Sequence, residues 1–286
     1  MSTGGWPTAL VTGATSGIGR AVAHGLAASG ATVGIVARDA TRGEDARAAI
    51  AAATNNARVE VFLSDLSSVV SVQELASAVA RGYPSIDILV NCAAVFTPQR
   101  TVTAESLESM FATNHLAPFL LTNLLMDRLI AGGGGRVLTL TAPSTVRPDL
   151  DDLLGERRFS ALRSFGASKA ANLLFTYALA RRLGSADVTA NAVHPGLVRS
   201  NLMRGAPAPL RWGIWLLSRS AEHAAKGILP LAISPEFDGV SGRFLHRGRE
   251  IRSASFTHDT VMQDRLWQLS EELTGLSPSS VVWRAP

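Results

Sequence analysis

The chain has 286 residues, 47% of them hydrophobic, with a single cysteine and a formal net charge of +4. That is enough apolar material to fill one large α/β core, yet no apolar run reaches the ~20 residues of a membrane span, and the start holds no basic stretch followed by an apolar one, so neither an anchor nor a signal peptide is expected. Cys92 has no internal disulfide partner, which fits a reducing, cytoplasmic setting; the basic residues are dispersed, without a stripe of interleaved aromatics, which speaks against nucleic acid.

Short β-branched runs alternate with longer helical stretches. "TALVTG" (8–13) reads as a first strand and 17–30 as a helix closed by Gly30. Strand 31–38, helix 41–56, strand 57–65, helix 68–83 and strand 86–94 follow. The stretch 104–130 reads as one long helix that tolerates Pro118 only with a kink or break. Strand 135–142, helix 167–184, strand 188–196 and a late strand 241–246 complete the pattern. Strands alternating with helices imply βαβ units and a parallel sheet covered on both faces. Continuous apolar strands such as "IDILV" support that burial. The expected fold is a single doubly wound parallel sheet of about seven strands, Rossmann-type, in one domain over 1–286. After Pro and Gly breaks, the segment 199–220 carries Leu202, Met203, Leu210, Trp212, Ile214, Trp215, Leu216 and Leu217. It follows the carboxyl end of a strand, where ligands bind in such sheets, and is read as a lid or pocket wall for an apolar substrate.

"TGATSGIG" puts Gly13, Gly17 and Gly19 between the first strand and its helix. Glycines there let the backbone approach a pyrophosphate, and the helix N-terminus attracts its charge. With "SDL" (64–66), "LVNCAA" (89–94), "TNHLAPFLLTNLL" (113–125), "FGASK" (165–169) and "VHPGLVRS" (193–200), the chain resembles the short-chain dehydrogenase/reductase family, its retinol-dehydrogenase-like branch in particular, over nearly its whole length. In "LVNCAA", Ala94 stands where the family has glycine.

The resemblance implies roles. Gly13, Ser16, Gly17, Ile18 and Gly19 wrap the pyrophosphate; Asp65 and Leu66 meet the adenine; Asn91 and Lys169 serve the ribose side. Asn114 supports the lysine through its backbone or a water. Pro195 and Gly196 turn beside the nicotinamide, with Val198 and Ser200 at its carboxamide. A carboxylate ending the second strand would hold a ribose 2′-hydroxyl and repel a 2′-phosphate. Here the strand ends at Ala37–Arg38 with no acid before Asp39, and the Arg38 guanidinium suits the phosphate. NADP is the expected cofactor, a small apolar molecule the substrate, and a homodimer through helices 104–130 and 167–184 the expected assembly. No metal site is expected.

In the resembled family, a Tyr and a Lys four residues apart share one helical face. The Tyr exchanges a proton with the substrate oxygen, which a strand-end Ser also binds. Here the matching positions are Phe165, with Lys169 in place, and Ala142, with Thr141 taking the serine before it. Tyr177 lies twelve residues beyond Phe165, about 18 Å along a helix, and Tyr83 precedes the fourth strand on the wrong side of the sheet; neither is a substitute. The centre thus comprises Lys169, Asn114, Phe165, Ala142 and Thr141. Ordinary ketone chemistry should be crippled, whereas an iminium or a conjugated C=C bond needs no oxygen protonation. Replacement acids could come from Asp149, Asp151, Asp152 or Glu156, each also readable as solvated surface; Thr141, Ser144 and Thr145 could donate hydrogen bonds. His194 reads as structural. The alternatives are a non-redox cyclase or isomerase on the same scaffold, or a catalytically silent NADP-binding protein.

Overall fold

A computed structural model describes residues 6–184, 186–198 and 219–277. The chain begins with β1 (Thr8–Thr12), α1 (Gly17–Ala28), β2 (Thr32–Ala37), α2 (Ala40–Thr54), β3 (Val59–Leu63), α3 (Val69–Gly82) and β4 (Ile88–Asn91). Next come α4 (Ser109–Phe111), a π-helical turn (Ala112–Leu116), α5 (Ala117–Leu124), α6 (Met126–Ala131), β5 (Gly135–Leu140), α7 (Ala161–Leu183) and β6 (Val188–Val193). The last elements are α8 (Ala221–Ile233), β7 (Phe244–His246), β8 (Arg249–Glu250) and α9 (Thr260–Thr274).

The sheet order is β3-β2-β1-β4-β5-β6-β7-β8. The first seven strands are parallel, and β8 pairs antiparallel with β7. This is the expected doubly wound sheet with one added edge strand. Successive residues of β1 serve both layers, as a strand buried on two faces requires: Leu10 joins the core under α3, α5 and α7, while Ala9 and Val11 join the core under α1 and α8. Because the seven strands run the same way, their carboxyl ends share one edge, and the motifs singled out in the sequence, the acidic loop between β5 and α7 included, follow or adjoin it.

The stretch 104–130 is not one helix. Glu108 caps α4, its carboxylate accepting from the Met110 and Phe111 amides at 2.9 and 2.8 Å. The π turn then runs directly into α5, with Pro118 at its second residue; the Asn114 carbonyl one turn earlier accepts from the Asn172 side chain. The site helix, α7, starts six residues earlier than expected.

The two helix stretches expected to meet a second subunit are covered in part by the chain itself. Residues 117–123 of α5 are all buried, and α9 lies over α5 and α7. Trp267 packs edge-on against Phe119 at 5.0 Å, its ring tilted 5.8 Å from Phe175, and the Arg182 guanidinium sits 4.3 Å above its other face. His115 ties the three helices, meeting Asn172 Oδ1 through Nδ1 at 3.2 Å and Ser270 Oγ through Nε2 at 3.0 Å. Burial holds its pKa down near 4, so the ring is neutral. Part of α5 and α7 is thus covered by α9 within the same chain. Of the apolar segment 199–220, residues 199–218, and with them Ser200, lie outside the described residues.

Candidate active site

The turn after β1 is built for close approach. Gly13 has φ +67°, and a Cβ there would stand 2.9 Å from Ala93 Cα. A Cβ on Gly19 would sit 2.4 Å from the Gly13 carbonyl oxygen. Neither position can carry a side chain, so the first turn of α1 closes directly onto the strand end. Thr12 Oγ1 secures the neighbouring loop by accepting from Cys92 N at 2.9 Å and Ala93 N at 3.1 Å. Ser16 caps α1 in an extended conformation, but its hydroxyl bonds no amide of the helix, and no acid occupies the first turn. The hydroxyl and the positive end of α1 are thereby left for an anion. Ile18 packs into the core beneath.

Arg38 is exposed at the end of β2. The neighbouring carboxylate, Asp39, caps α2 by accepting from Arg42 N at 2.8 Å, so it is engaged away from a ribose. Asp65, after β3, is held by the amide and hydroxyl of Ser67 at 2.9 and 2.8 Å, and Leu66 packs partly buried beside it. Asn91 departs from expectation. It is 2% exposed and donates from Nδ2 to Thr122 Oγ1 of α5 at 3.0 Å; its side chain is turned into the helix layer rather than toward a ribose. Pro195 and Gly196 turn the chain after β6, and Val198 makes a β-bridge to Arg219.

Lys169 lies near the middle of α7 with 6% exposure. Its ammonium reaches the Leu140 carbonyl at 3.5 Å and sits 5.6 Å from the Phe165 ring centre. Desolvation brings its pKa down to about 8; burial pushes the nearby Cys92 thiol up to about 12, so that group is neutral and lends the ammonium no counter-charge. Phe165 leans edge-on against Phe96 at 5.8 Å, giving the cleft an aromatic wall.

Most polar groups around this lysine are already engaged. Thr141 donates its hydroxyl to the Lys169 carbonyl at 2.6 Å, which removes it as a free donor. Ser168 donates to the Phe165 carbonyl at 2.8 Å and accepts from Asn114 Nδ2 at 3.1 Å. Asn114 also clasps the Val95 backbone, accepting its amide at 2.8 Å and donating to its carbonyl at 3.0 Å. Its own carbonyl accepts from Asn172 Nδ2 at 2.9 Å, not from Lys169. Asn114 therefore fixes the lysine indirectly, by locking α7 to the loop after β4. Ala142 follows Thr141, half-buried. Ser144 accepts from Val146 N at 3.2 Å and lies against Gly166.

Three of the four acidic side chains of the loop, those of Asp149, Asp152 and Glu156, already have partners. Asp152 receives the amides of Glu156, Arg157 and Arg158 at 2.8, 3.3 and 3.1 Å; these amides outweigh a slight desolvation and hold its pKa below the ordinary value. Asp149 accepts from Asp151 N at 3.1 Å, and Glu156 faces Arg100 at 3.8 Å. Tyr83 is 4% exposed behind the sheet, and Tyr177 bonds Ser253 at 2.9 Å. His194 is held below its usual pKa by burial, then by His246, whose ring lies 5.1 Å away. His246 was not singled out in the sequence: nothing local marks a histidine at the end of a three-residue strand.

A glycine-lined turn opening a helix, at the carboxyl edge of a parallel sheet, beside a buried lysine, defines a dinucleotide-binding α/β protein. A family model described as short chain dehydrogenase matches residues 7–209, and the chain belongs to that family. It is 35% identical to Retinol dehydrogenase 13 from Homo sapiens, over 96% of this chain and 86% of that protein. An uncharacterized protein from Mycobacterium Paratuberculosis superposes with a TM-score of 0.76 at 32% identity, covering 94% of this chain and 93% of that one. A short chain dehydrogenase from Burkholderia cenocepacia J2315, solved in complex with NADP, superposes with a TM-score of 0.67 at 29% identity, covering 84% and 95%. Family and relatives support an oxidoreductase with a nicotinamide cofactor. Among the described residues, no helix is long and apolar enough to cross a membrane and no cluster of ligating side chains could hold a metal ion.

Proposed function

We propose that this chain is an NADPH-dependent reductase of an apolar substrate whose acceptor bond needs no phenolic proton donor, an iminium or a conjugated C=C. The observation that carries this reading is Lys169, buried with a lowered pKa and facing a phenyl ring where the resembled family has a phenol. NADPH, when bound, supplies the reducing equivalent. The glycine turn, Ser16 and the N-terminus of α1 would hold its pyrophosphate, and Lys169 its ribose. The Arg38 guanidinium, with Asp39 engaged as a helix cap, would hold the 2′-phosphate. Val198 and Ser200 would adjoin the carboxamide.

With Thr141, Ser168 and Asn114 engaged, the exchangeable protons near the centre include, among the described residues, those of the Lys169 ammonium and the Ser144 hydroxyl. The ammonium is the stronger acid, and Phe96 and Phe165 exclude water around it. A cationic or flat conjugated substrate would rest on the Phe165 ring, and its protonation, where needed, would draw on Lys169 or on water.

Purified protein is mixed with NADPH and its fluorescence followed, then NADPH oxidation is measured with a cyclic iminium, an enone and a ketone. The proposal expects binding, and turnover of the first or second but not the third. Product formed without NADPH oxidation would favour a non-redox enzyme; binding without any turnover would favour a silent NADP-binding protein. Both stand against the proposal.

A further inference from the structure

On the far side of the cleft from Arg38, three departures from ordinary local chemistry meet. The turn between β7 and β8 is the pair Arg247–Gly248, with φ +51° and +75°. A two-residue hairpin with both central residues left-handed favours Asn-Gly; an arginine in that first position is an uncommon and strained choice. The second departure lies beneath it. Gly227 is inside α8, where glycine weakens a helix, and a Cβ there would stand 3.2 Å from Arg247 Cγ. The glycine leaves room for the arginine stem to lie across the helix.

The third departure is electrostatic. Arg247 Nη2 reaches His223 Nε2 at 2.8 Å, and Arg219 Nη1 reaches the same atom at 3.1 Å. Arginine only donates, so one imidazole lone pair receives two cations and the ring is neutral, with its proton on Nδ1. The His223 pKa is held below its ordinary value by slight desolvation, then by Arg219, Arg247 and Lys226. Among the described residues, no carboxylate lies within 4 Å of either guanidinium. Glu222, next to His223, is held instead by its own backbone amide and the Ser220 hydroxyl, with a smaller influence from Arg20 of α1. Two guanidinium groups thus converge at the amino end of α8 with donors in excess of acceptors.

We propose that Arg219, His223 and Arg247 form a binding site for a phosphate-type oxyanion at the rim of the active-site cleft. Arg219 N donates to the Leu197 carbonyl at 2.9 Å, and His246 Nδ1 donates to the His194 carbonyl at 2.8 Å; both flank the Pro195–Gly196 turn. Bidentate guanidinium groups are the donors such an anion takes. The site is separate from Arg38. β7 lies five strands from β2 in the sheet, about 24 Å at ~4.8 Å per strand, so one phosphate cannot reach both. Nor does the site depend on the reductase reading, because anion affinity would persist in a chain without turnover.

Inorganic phosphate is titrated into the full chain while the His223 ring is followed by nitrogen-15 NMR. Loading the site should raise the His223 pKa, because an adjacent dianion favours the imidazolium. Arg247→Asn suits the turn and removes the guanidinium; it should weaken phosphate binding about tenfold or more and leave NADPH binding unchanged. Arg219→Gln should act in the same direction. Decyl phosphate then distinguishes the sources of the anion. Tighter binding than inorganic phosphate, lost in Arg247→Asn, identifies the head of an apolar substrate; equal binding identifies free phosphate. A His223 resonance indifferent to millimolar phosphate, or an equal response in Arg247→Asn, overturns the proposal.

Discussion

Lys169 is held in the folded chain with a pKa near 8, against an ordinary value of 10.5. Between those values the unfolded chain carries a proton that the folded chain has released, so stability rises with pH across the window and declines as pH falls to about 8. The difference amounts to about 3 kcal/mol. Lys169→Met should therefore raise Tm by several degrees at pH 7 in the absence of cofactor, an advantage that fades above pH 10; calorimetry at the two pH values checks this. Where turnover draws a proton from the ammonium, the rate should fall as pH rises through about 8, and a rate still climbing at pH 9 would remove Lys169 as the acid. Phe165 allows a complementary test. Restoring both hydroxyls, by Phe165→Tyr with Ala142→Ser, should bring ketone reduction up by ~10²–10⁴, read as NADPH oxidation. A double variant as inert toward ketones as the parent would mean that the cleft is not of the proposed kind.

At the scale of elements, α9 is held by packing, by the neutral His115 imidazole and by Asp264, which accepts from Arg181 and Arg182 of α7 at 2.6 and 2.7 Å. Trp267→Ala should cost about 3–5 kcal/mol and uncover Phe119 and Phe175, detected as increased binding of an apolar dye. Acid should loosen the same helix. With the His115 pKa near 4 rather than 6.5, the unfolded chain alone carries that proton between the two values, so stability drops as pH falls from 6.5 toward 4. The seven parallel strands were legible in the sequence because runs such as "TALVTG" and "IDILVN" are short, β-branched and bounded by turn residues. The helix 104–130 was misread because the apolar pattern runs on through Ser109–Ala131 although the backbone changes pitch at the π turn. The roles of Thr141 and Asn91 could not be read at all: which way a hydroxyl or an amide points depends on α7 and α5, distant in sequence. Helices α8 and α9 were overlooked although Ser220 and Asp259 stand as caps at their starts, accepting from His223 N at 3.2 Å and from Val261 N at 3.0 Å; beyond the family's named motifs, nothing had drawn the reading there.

For the molecule as a whole, the doubly wound sheet gathers the glycine turn after β1, Lys169 and the Arg219–Arg247 pair along its carboxyl edge. Light scattering should give the mass of one chain, 30.1 kDa, unless a surface other than α5 associates; Trp267→Ala should shift that mass upward as protein concentration rises. A helix folded back on its own neighbours also changes how the molecule meets dilution. Contact between α9 and α5 is intramolecular, so its occupancy is independent of how many copies share the solution. Specific activity should stay constant down to nanomolar enzyme, and mixing with homologous chains should yield no hybrid species built on that face.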